Sequence, residues 1–181
     1  MENPIAVWHE EHVYFGQLLR LLRRELDAFH SGARPNYELM LDIINYLSEY
    51  SDRFHHPRED VAFERLAEHR PEMALPLARL RQEHRVIAAA GEALLGHLNA
   101  ILSGAMVSRP EVEVAAATYL VYYGNHIAKE EEDILSLASK VLTAEDWAKV
   151  GAAVKPVRDP LFGEHPDERY RELRRQIALE A

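Results

Sequence analysis

Apolar residues recur along this chain at alternating steps of three and four, the spacing that keeps side chains on one face of an α-helix. Four long segments carry the pattern, and stretches containing glycine and proline separate them. The pattern predicts helices A, B, C and D over roughly residues 4–30, 36–68, 72–103 and 109–141. No segment alternates as a strand does, so we expect an all-α fold, an up-down four-helix bundle.

Each predicted helix has a stripe of residues that would face the interior of the bundle. The stripes are Trp8, His12, Phe15, Leu19, Leu22, Leu26 and Phe29 in A; Ile44, Leu47, Ser51, His55, Glu59, Ala62 and Leu66 in B; Leu77, Leu80, His84, Ile87, Gly91, Leu94 and Leu98 in C; and Val112, Ala116, Tyr119, Tyr123, His126, Glu130, Ile134, Leu137 and Val141 in D. Every stripe contains a histidine, and those of B and D add a glutamate four residues later.

Local signals mark the ends of these elements. Ser108, with Glu111 three residues later, predicts a capping box for helix D, and Thr143 before two acidic residues predicts a short fifth helix. The segment DERYRELRRQIALE predicts a terminal helix. We therefore expect residues 1–154 to form the bundle with its short fifth helix, and residues 155–181 to form a C-terminal loop and helix packed on the same domain.

The polar residues on the four stripes are expected at one height in the bundle. Antiparallel helices rise about 1.5 Å per residue, so positions equally far from a connecting loop lie at one level. His12 and His55, for example, are nearly equidistant from the loop near residue 33. By this reasoning one layer contains His12, His55, Glu59, His84, His126 and Glu130.

Such a layer indicates a metal site. An isolated buried carboxylate is costly, so the two glutamates must be protonated, paired or metal-bound. Imidazole nitrogen and carboxylate oxygen suit iron, manganese or zinc. Two ions fit better than one. Two six-coordinate ions offer about 12 positions, and four histidines, two bridging glutamates and a bridging oxo or hydroxo group would leave about two of them open. The alternative is a buried hydrogen-bond network of histidine and glutamate without metal.

His56 is a possible further ligand. Pro57 removes a backbone donor and is expected to kink helix B, which would turn His56 toward the layer. Whether His55 or His56 is the helix-B ligand stays open at this point. His9 is expected to support His12 from outside, and Tyr119 to border the site. The remaining histidines, His30, His69, His97 and His165, are expected off the layer.

Composition narrows the function. The 181 residues suit one domain, and a net charge of −9 disfavours non-specific binding to nucleic acid. Without cysteine the chain has no disulfide, thiolate nucleophile or cysteine-ligated metal. No apolar run approaches about 20 residues, and the start MENPIAVWHEEH lacks signal-peptide features, so we expect a cytoplasmic protein without membrane contact.

Six short segments resemble the hemerythrin-like, or HHE cation-binding, family over nearly the whole chain: EEHVYF, FHHPREDVAF, QEHRVI, HIAKEEEDILSLA, LTAEDW and DPLFG. The resemblance implies a four-helix bundle with a non-haem centre of two iron ions. It also implies the ligand positions His12, His55, Glu59, His84, His126 and Glu130.

Departures from the family pattern point away from oxygen carriage. Oxygen-carrying hemerythrins have two histidines one turn apart on the third helix, where Leu80 and Ala88 flank His84 in this chain, and their last carboxylate is an aspartate, not Glu130. We expect a protein that binds, senses or reacts with oxygen, nitric oxide or peroxide, or that handles iron. The alternative is a non-enzymatic, metal-stabilised interaction or iron-status module. The sequence names no catalytic residue and no protein partner.

Overall fold

The computed structural model describes residues 4–155 and 157–180, and within those ranges the chain is helical without strands. The all-α class is therefore confirmed. The α-helices are α1 (Pro4–His30), α2 (Tyr37–Tyr46), α3 (His56–His69), α4 (Ala74–Leu102), α5 (Arg109–Lys129), α6 (Leu135–Val141), α7 (Ala144–Ala153) and α8 (Arg171–Glu180). Two π-helical segments, Leu47–His55 and Glu130–Ile134, join α2 to α3 and α5 to α6, and 3₁₀ turns precede α4 and α8.

Predicted helix A is α1, helix C is α4 with its preceding 3₁₀ turn, and helices B and D each contain a π-helical segment. In α4 the buried residues are those of the predicted stripe. Helix α4 packs against α2, α3 and α5, and α1 packs against α5. These contacts place the buried faces of the long helices next to one another.

The π-helical segments correct the predicted faces, because a π turn contains an extra residue and shifts the buried face by one position. After the second segment, Leu135 and Ala138 are buried, whereas the predicted Leu137 and Val141 are only half-buried. In the first segment the shift brings His56 inward directly after His55. The rotation that was expected from a kink at Pro57 occurs instead at the π-helical turn.

Two apolar clusters flank the polar layer. One contains Phe15, Leu22, Ile44, Leu94 and Tyr119, and the other contains Trp8, Phe63, Leu77, Leu80 and Ile134, all of them buried. Fully burying such a side chain stabilises the fold by about 1.5–3 kcal/mol. The polar layer therefore lies between two regions that already hold the helices together.

The predicted start of the short fifth helix is observed at α7. Asp146 N–H donates to Thr143 Oγ1 at 3.2 Å, and Thr143 N–H donates to Asp146 Oδ2 at 3.0 Å, which is a capping box. The predicted box at Ser108 was wrong, because the Ser108 side chain caps no backbone group. Its carbonyl oxygen instead accepts from Glu111 N–H at 3.1 Å.

The C-terminal segment packs on α1 and α2. Phe162 stacks on Tyr14 with ring centroids 4.1 Å apart, and the Tyr46 hydroxyl donates to Asp159 Oδ2 at 3.0 Å. Tyr170 meets the Tyr46 ring edge to face. These contacts cover the α1–α2 side of the larger apolar cluster.

By length and composition, the stretch Pro71–Leu102 is apolar enough to cross a membrane, with a mean hydropathy of 1.2 over 18 residues. No such stretch was expected, because the sequence has no unbroken apolar run of this length. Alanines at exposed and half-buried positions of α4 raise the mean hydropathy without forming one. Core helices of soluble proteins, which are mostly buried, pass the same test, whereas 22% of this window is buried.

Candidate metal centre

The polar layer draws on every long helical stretch of the chain. His12 lies on α1, His55 ends the first π-helical segment, and His84 lies on α4. The remaining members are His56 and Glu59 on α3, His126 on α5 and Glu130 at the start of the second π-helical segment. Each of the seven side chains is at most 5% exposed. The structure therefore brings together all the side chains that the sequence placed in the layer, with His56 as a full member.

The donor atoms form two overlapping groups. One group contains His12, His55 and Glu59, and the other contains His56, Glu59, His84 and His126. Within each group, one donor atom from every residue lies within 4.8 Å of the others. Glu59 belongs to both groups, so two metal positions would share this carboxylate.

Glu59 directs its two oxygens to different histidines. Oε1 lies 3.1 Å from His55 Nε2 and 3.4 Å from His12 Nε2. Oε2 lies 3.6 Å from His84 Nε2. The carboxylate therefore spans the two groups.

Glu130 also contacts both histidine groups. Its Oε2 lies 3.4 Å from His12 Nε2, while Oε1 lies 2.9 Å from His126 Nε2 and 3.5 Å from His84 Nε2. Each glutamate thus presents one oxygen to each histidine group.

Six of these inward-facing atoms have no hydrogen-bond partner. They are both carboxylate oxygens of Glu59 and of Glu130, and Nε2 of His84 and of His126. Although His126 Nε2 and Glu130 Oε1 are close, they are not aligned as donor and acceptor. Buried polar atoms almost always find a partner, and leaving one unpaired costs about 1–3 kcal/mol. All six atoms are imidazole nitrogens or carboxylate oxygens, which are ligand atoms for transition metals, so this set of residues fits a metal site.

Comparison with known proteins agrees with this chemistry. A family model described as the hemerythrin HHE cation binding domain matches residues 3–138. The chain belongs to this family. No curated protein and no solved structure matches it. The HHE domain binds metal cations, and the buried histidine–glutamate cluster could hold them.

The HHE domain of this chain surrounds its histidines with a second set of carboxylates that the sequence analysis missed. Each faces the Nδ1 atom of one histidine: Glu131 and His12 at 2.6 Å, Glu11 and His55 at 2.6 Å, Asp52 and His56 at 3.2 Å, Asp60 and His84 at 2.8 Å, and Glu83 and His126 at 3.2 Å. A carboxylate at Nδ1 fixes the ring orientation. It leaves Nε2 of His84 and of His126 without a partner, while Nε2 of His12 and Nε2 of His55 lie 3.0 Å apart.

Four of these pairs form a closed ring around the histidine–glutamate layer of the HHE domain. Each carboxylate is adjacent in sequence to one layer residue and contacts the histidine of a neighbouring helical stretch. Glu11 of α1 holds His55, Asp60 of α3 holds His84, Glu83 of α4 holds His126, and Glu131 after α5 holds His12. The sequence signal for these carboxylates is an acidic residue next to a core histidine or glutamate. Which histidine each carboxylate contacts is visible only in the structure.

The carboxylates shift the pKa values of the buried histidines. Burial lowers the pKa of His12, but the carboxylates of Glu131, Glu59 and Glu130 outweigh it and raise this pKa to about 10. Burial likewise opposes the carboxylates around His84, whose pKa also rises to about 10. The metal-free cluster therefore holds protons on imidazole, and a metal would displace them.

The other polar residues named from the sequence take different places. His9 bonds to Glu131 at 2.8 Å and reaches His12 through that carboxylate. Tyr119 is fully buried with an unpartnered hydroxyl, and the Tyr123 hydroxyl bonds to Ser51. Ser51 Oγ in turn lies 3.2 Å from His56 Nε2. The four histidines expected off the layer belong to neither donor group.

Proposed function

We propose that this HHE domain is a non-haem di-iron protein. His12, His55 and Glu59 would hold one iron, and His56, His84, His126 and Glu59 the other, with Glu130 as a second bridge and an oxo or hydroxo group between the ions. The observation that carries the proposal is that Glu59 and Glu130 each direct one oxygen to each histidine group. A single ion would leave part of this donor set unpaired.

We further propose that the centre binds, senses or reacts with oxygen, nitric oxide or peroxide, or handles iron. Bound iron supplies redox chemistry and an acceptor for such ligands. The chain holds the imidazoles with Nε2 inward through the outer carboxylates, and it offsets the metal charge with two buried glutamates. Burial of all seven side chains keeps bulk water from the reacting atoms.

The same proposal includes an up-down arrangement of the four long helical stretches, supported by the contacts among α1, α4 and α5. It also includes a cytoplasmic location, in keeping with a chain that uses no cysteine.

The test is anaerobic reconstitution with ferrous iron, followed by metal quantification and absorption spectroscopy before and after addition of peroxide, oxygen or nitric oxide. We expect about two irons per chain and a spectral change on oxidation. Binding of fewer than about one iron per chain would remove the dinuclear proposal.

The second candidate is a metal-stabilised module without redox turnover. The observation in its favour is that the layer draws side chains from α1, α3, α4 and α5, so an ion would tie these helices together. This function predicts a large rise in melting temperature with metal and no reaction with peroxide, oxygen or nitric oxide. The redox function predicts both the rise and the reaction.

A further inference from the structure

A cavity of about 630 Å³ lies between the start of α4 and the segment 129–140. Its apolar lining includes Leu80, Ile134 and Leu137, and charged side chains also line it. Ligand cavities in proteins commonly measure about 300–1,000 Å³. This cavity is therefore large enough for an organic molecule and far exceeds the roughly 30 Å³ that a water-sized molecule occupies.

The cavity adjoins the metal centre. Leu80 precedes His84 by one helical turn, and Ile134 follows Glu130 by one turn, so both lie on the buried faces that carry the donors. Glu83 lines the cavity with Oε1 bonded to Lys129 at 2.5 Å, and its Oε2 accepts from His126 Nδ1 at 3.2 Å. The cavity therefore shares Leu80 and Ile134 with the buried faces that carry the donors, and it shares Glu83 with the outer carboxylate contact to His126.

The charges around the cavity favour a neutral occupant. Its lining includes three cationic and three acidic side chains, which balance: Arg79, Lys129, Lys140, Glu83, Glu132 and Asp133. An anionic or cationic ligand would gain little from such a surface, whereas an uncharged body would pack against the leucine and isoleucine side chains.

We propose that the cavity binds the apolar body of an organic hydroperoxide and directs its peroxide group past Leu80 and Ile134 to the metal centre. This inference rests on the proposed function and names its substrate class. Bound ferrous iron would supply the reducing equivalents: the O–O bond would break, two ferrous ions would become ferric, and two protons from solvent would complete one alcohol and one water. Hydrogen peroxide would undergo the same reduction without using the cavity.

Two variants isolate the cavity. Leu137→Trp fills it at a half-buried position that is no member of either donor group. Leu75→Trp is the matched control, since Leu75 is 63% exposed on α4 and lies outside the cavity lining. Circular dichroism and iron content of both variants establish that fold and centre are retained.

The first measurement does not depend on turnover. Binding of 2-phenyl-2-propanol, the alcohol product of cumene hydroperoxide, is followed by calorimetry on the oxidised, iron-loaded full chain. We expect saturable binding to the wild type and to Leu75→Trp, and at least about a tenfold loss of affinity in Leu137→Trp. Absence of saturable binding to the wild type, or equal binding to all three, would overturn the proposal.

The second measurement is stopped-flow oxidation of the ferrous protein by cumene hydroperoxide and by hydrogen peroxide. We expect Leu137→Trp to lower the ratio of the two rates by about tenfold or more, with no change in Leu75→Trp. An unchanged ratio in Leu137→Trp overturns the cavity inference and leaves the proposed function standing. Failure of both peroxides to oxidise the loaded protein overturns the cavity inference together with the peroxide part of the proposed function.

Discussion

The two histidine groups that share Glu59 and Glu130 differ in what lies behind them. Behind His55, Glu11 is itself held by Arg58 Nη2 at 2.7 and 2.8 Å and by the Tyr50 hydroxyl at 2.9 Å. Behind His84 and His126, the supporting carboxylates belong to Asp60 and Glu83, whose side chains are 31% and 22% exposed. One side of the centre is thus anchored in the protein interior, and the other borders solvent and the cavity.

The anchored side keeps a fixed negative charge. Burial raises the pKa of Glu11, but His55 and Arg58 outweigh it and hold that pKa below the ordinary value. The carboxylate therefore stays ionised and accepts from His55 Nδ1, which keeps Nε2 directed at Glu59. His12 has a weaker anchor, since its partner Glu131 is 29% exposed and is shared with the exposed His9.

On the cavity side the rings support one another. His56 and His84 stack with centroids 4.1 Å apart, and His126 meets His84 edge to face at 4.5 Å. Burial and the neighbouring His84 lower the pKa of His56 well below its ordinary value, so its ring is neutral, the form that binds metals. The two proposed metal positions are thus unequal: His55 in one group rests on a carboxylate that Arg58 and Tyr50 hold, whereas the partner of His126 in the other group lines the cavity.

The largest effect is expected where the two sides meet. In Glu59→Gln the amide keeps the shape of the side chain but loses the anionic bridge to both groups, so we expect fewer than about one iron per chain. Glu130→Gln should also weaken loading while the helical fold persists. Metal quantification and circular dichroism check both variants. His97→Ala is the control, because His97 belongs to neither donor group and its loss should leave iron content unchanged; unaltered stoichiometry in both glutamine variants would refute the bridging roles.

His56→Ala separates the two sides. It removes a donor only from the cavity-side group, while His12, His55 and Glu59 stay in place. We expect about one iron to remain at the anchored position, and the spectral signature of a coupled pair to be lost. Metal content together with Mössbauer spectroscopy measures this outcome. Retention of two coupled irons would show that His56 is not a ligand and that His55 alone serves this part of the chain.

The outer carboxylates test the difference in anchoring directly. Losing a carboxylate that orients a ligand typically lowers metal affinity by about 10–100-fold. Glu11→Gln should fall at the upper end of that range, because Arg58 and Tyr50 would face a group without charge. Glu83→Gln should fall at the lower end, because solvent can replace a half-exposed partner. Competition with a chelator gives both affinities, and a larger loss in Glu83→Gln would reverse the assignment of the rigid side.

The helices and their buried faces were largely predictable from spacing, as α1 and α4 illustrate. Every predicted stripe residue of these two helices is buried, because an uninterrupted α-helix keeps one periodicity from end to end. The prediction failed where the periodicity changes. Leu137 and Val141 follow a π-helical turn, and no residue type in the sequence marks such a turn.

The residues of the candidate centre were predictable wherever they lie on a helix with unbroken α-helical periodicity. Glu59 and His84 lie on the faces that spacing assigned to them, whereas the place of His56 stayed open until the π-helical segment was seen. The ring of outer carboxylates escaped prediction because the pairing of Glu11 with His55 depends on how two helices are rotated against each other. That these side chains bind iron stays a prediction.

The smallest effect is expected at the α3–α7 junction, which provides a baseline for the comparison because it lies outside both donor groups. Asp146 is the N3 residue of the α7 capping box, in which Thr143 is the N-cap, and it pairs with Arg65 and His69 of α3 at 2.9 and 2.8 Å. Hydrogen bonds to Thr143, assisted by Arg65 and His69, hold the pKa of Asp146 below the ordinary value. The stability gained from the ionised carboxylate is therefore complete above the unfolded pKa of about 3.9 and is lost as pH falls through the lower folded value.

Asp146→Asn should lower the free energy of unfolding by about 1 kcal/mol at pH 7, the usual contribution of a cap, and by less near pH 2. Urea unfolding at both pH values measures the difference, and iron content should not change. A loss of iron in this variant would mean that loading follows global stability, and the effects of Glu11→Gln and Glu83→Gln would then have to be compared at matched stability.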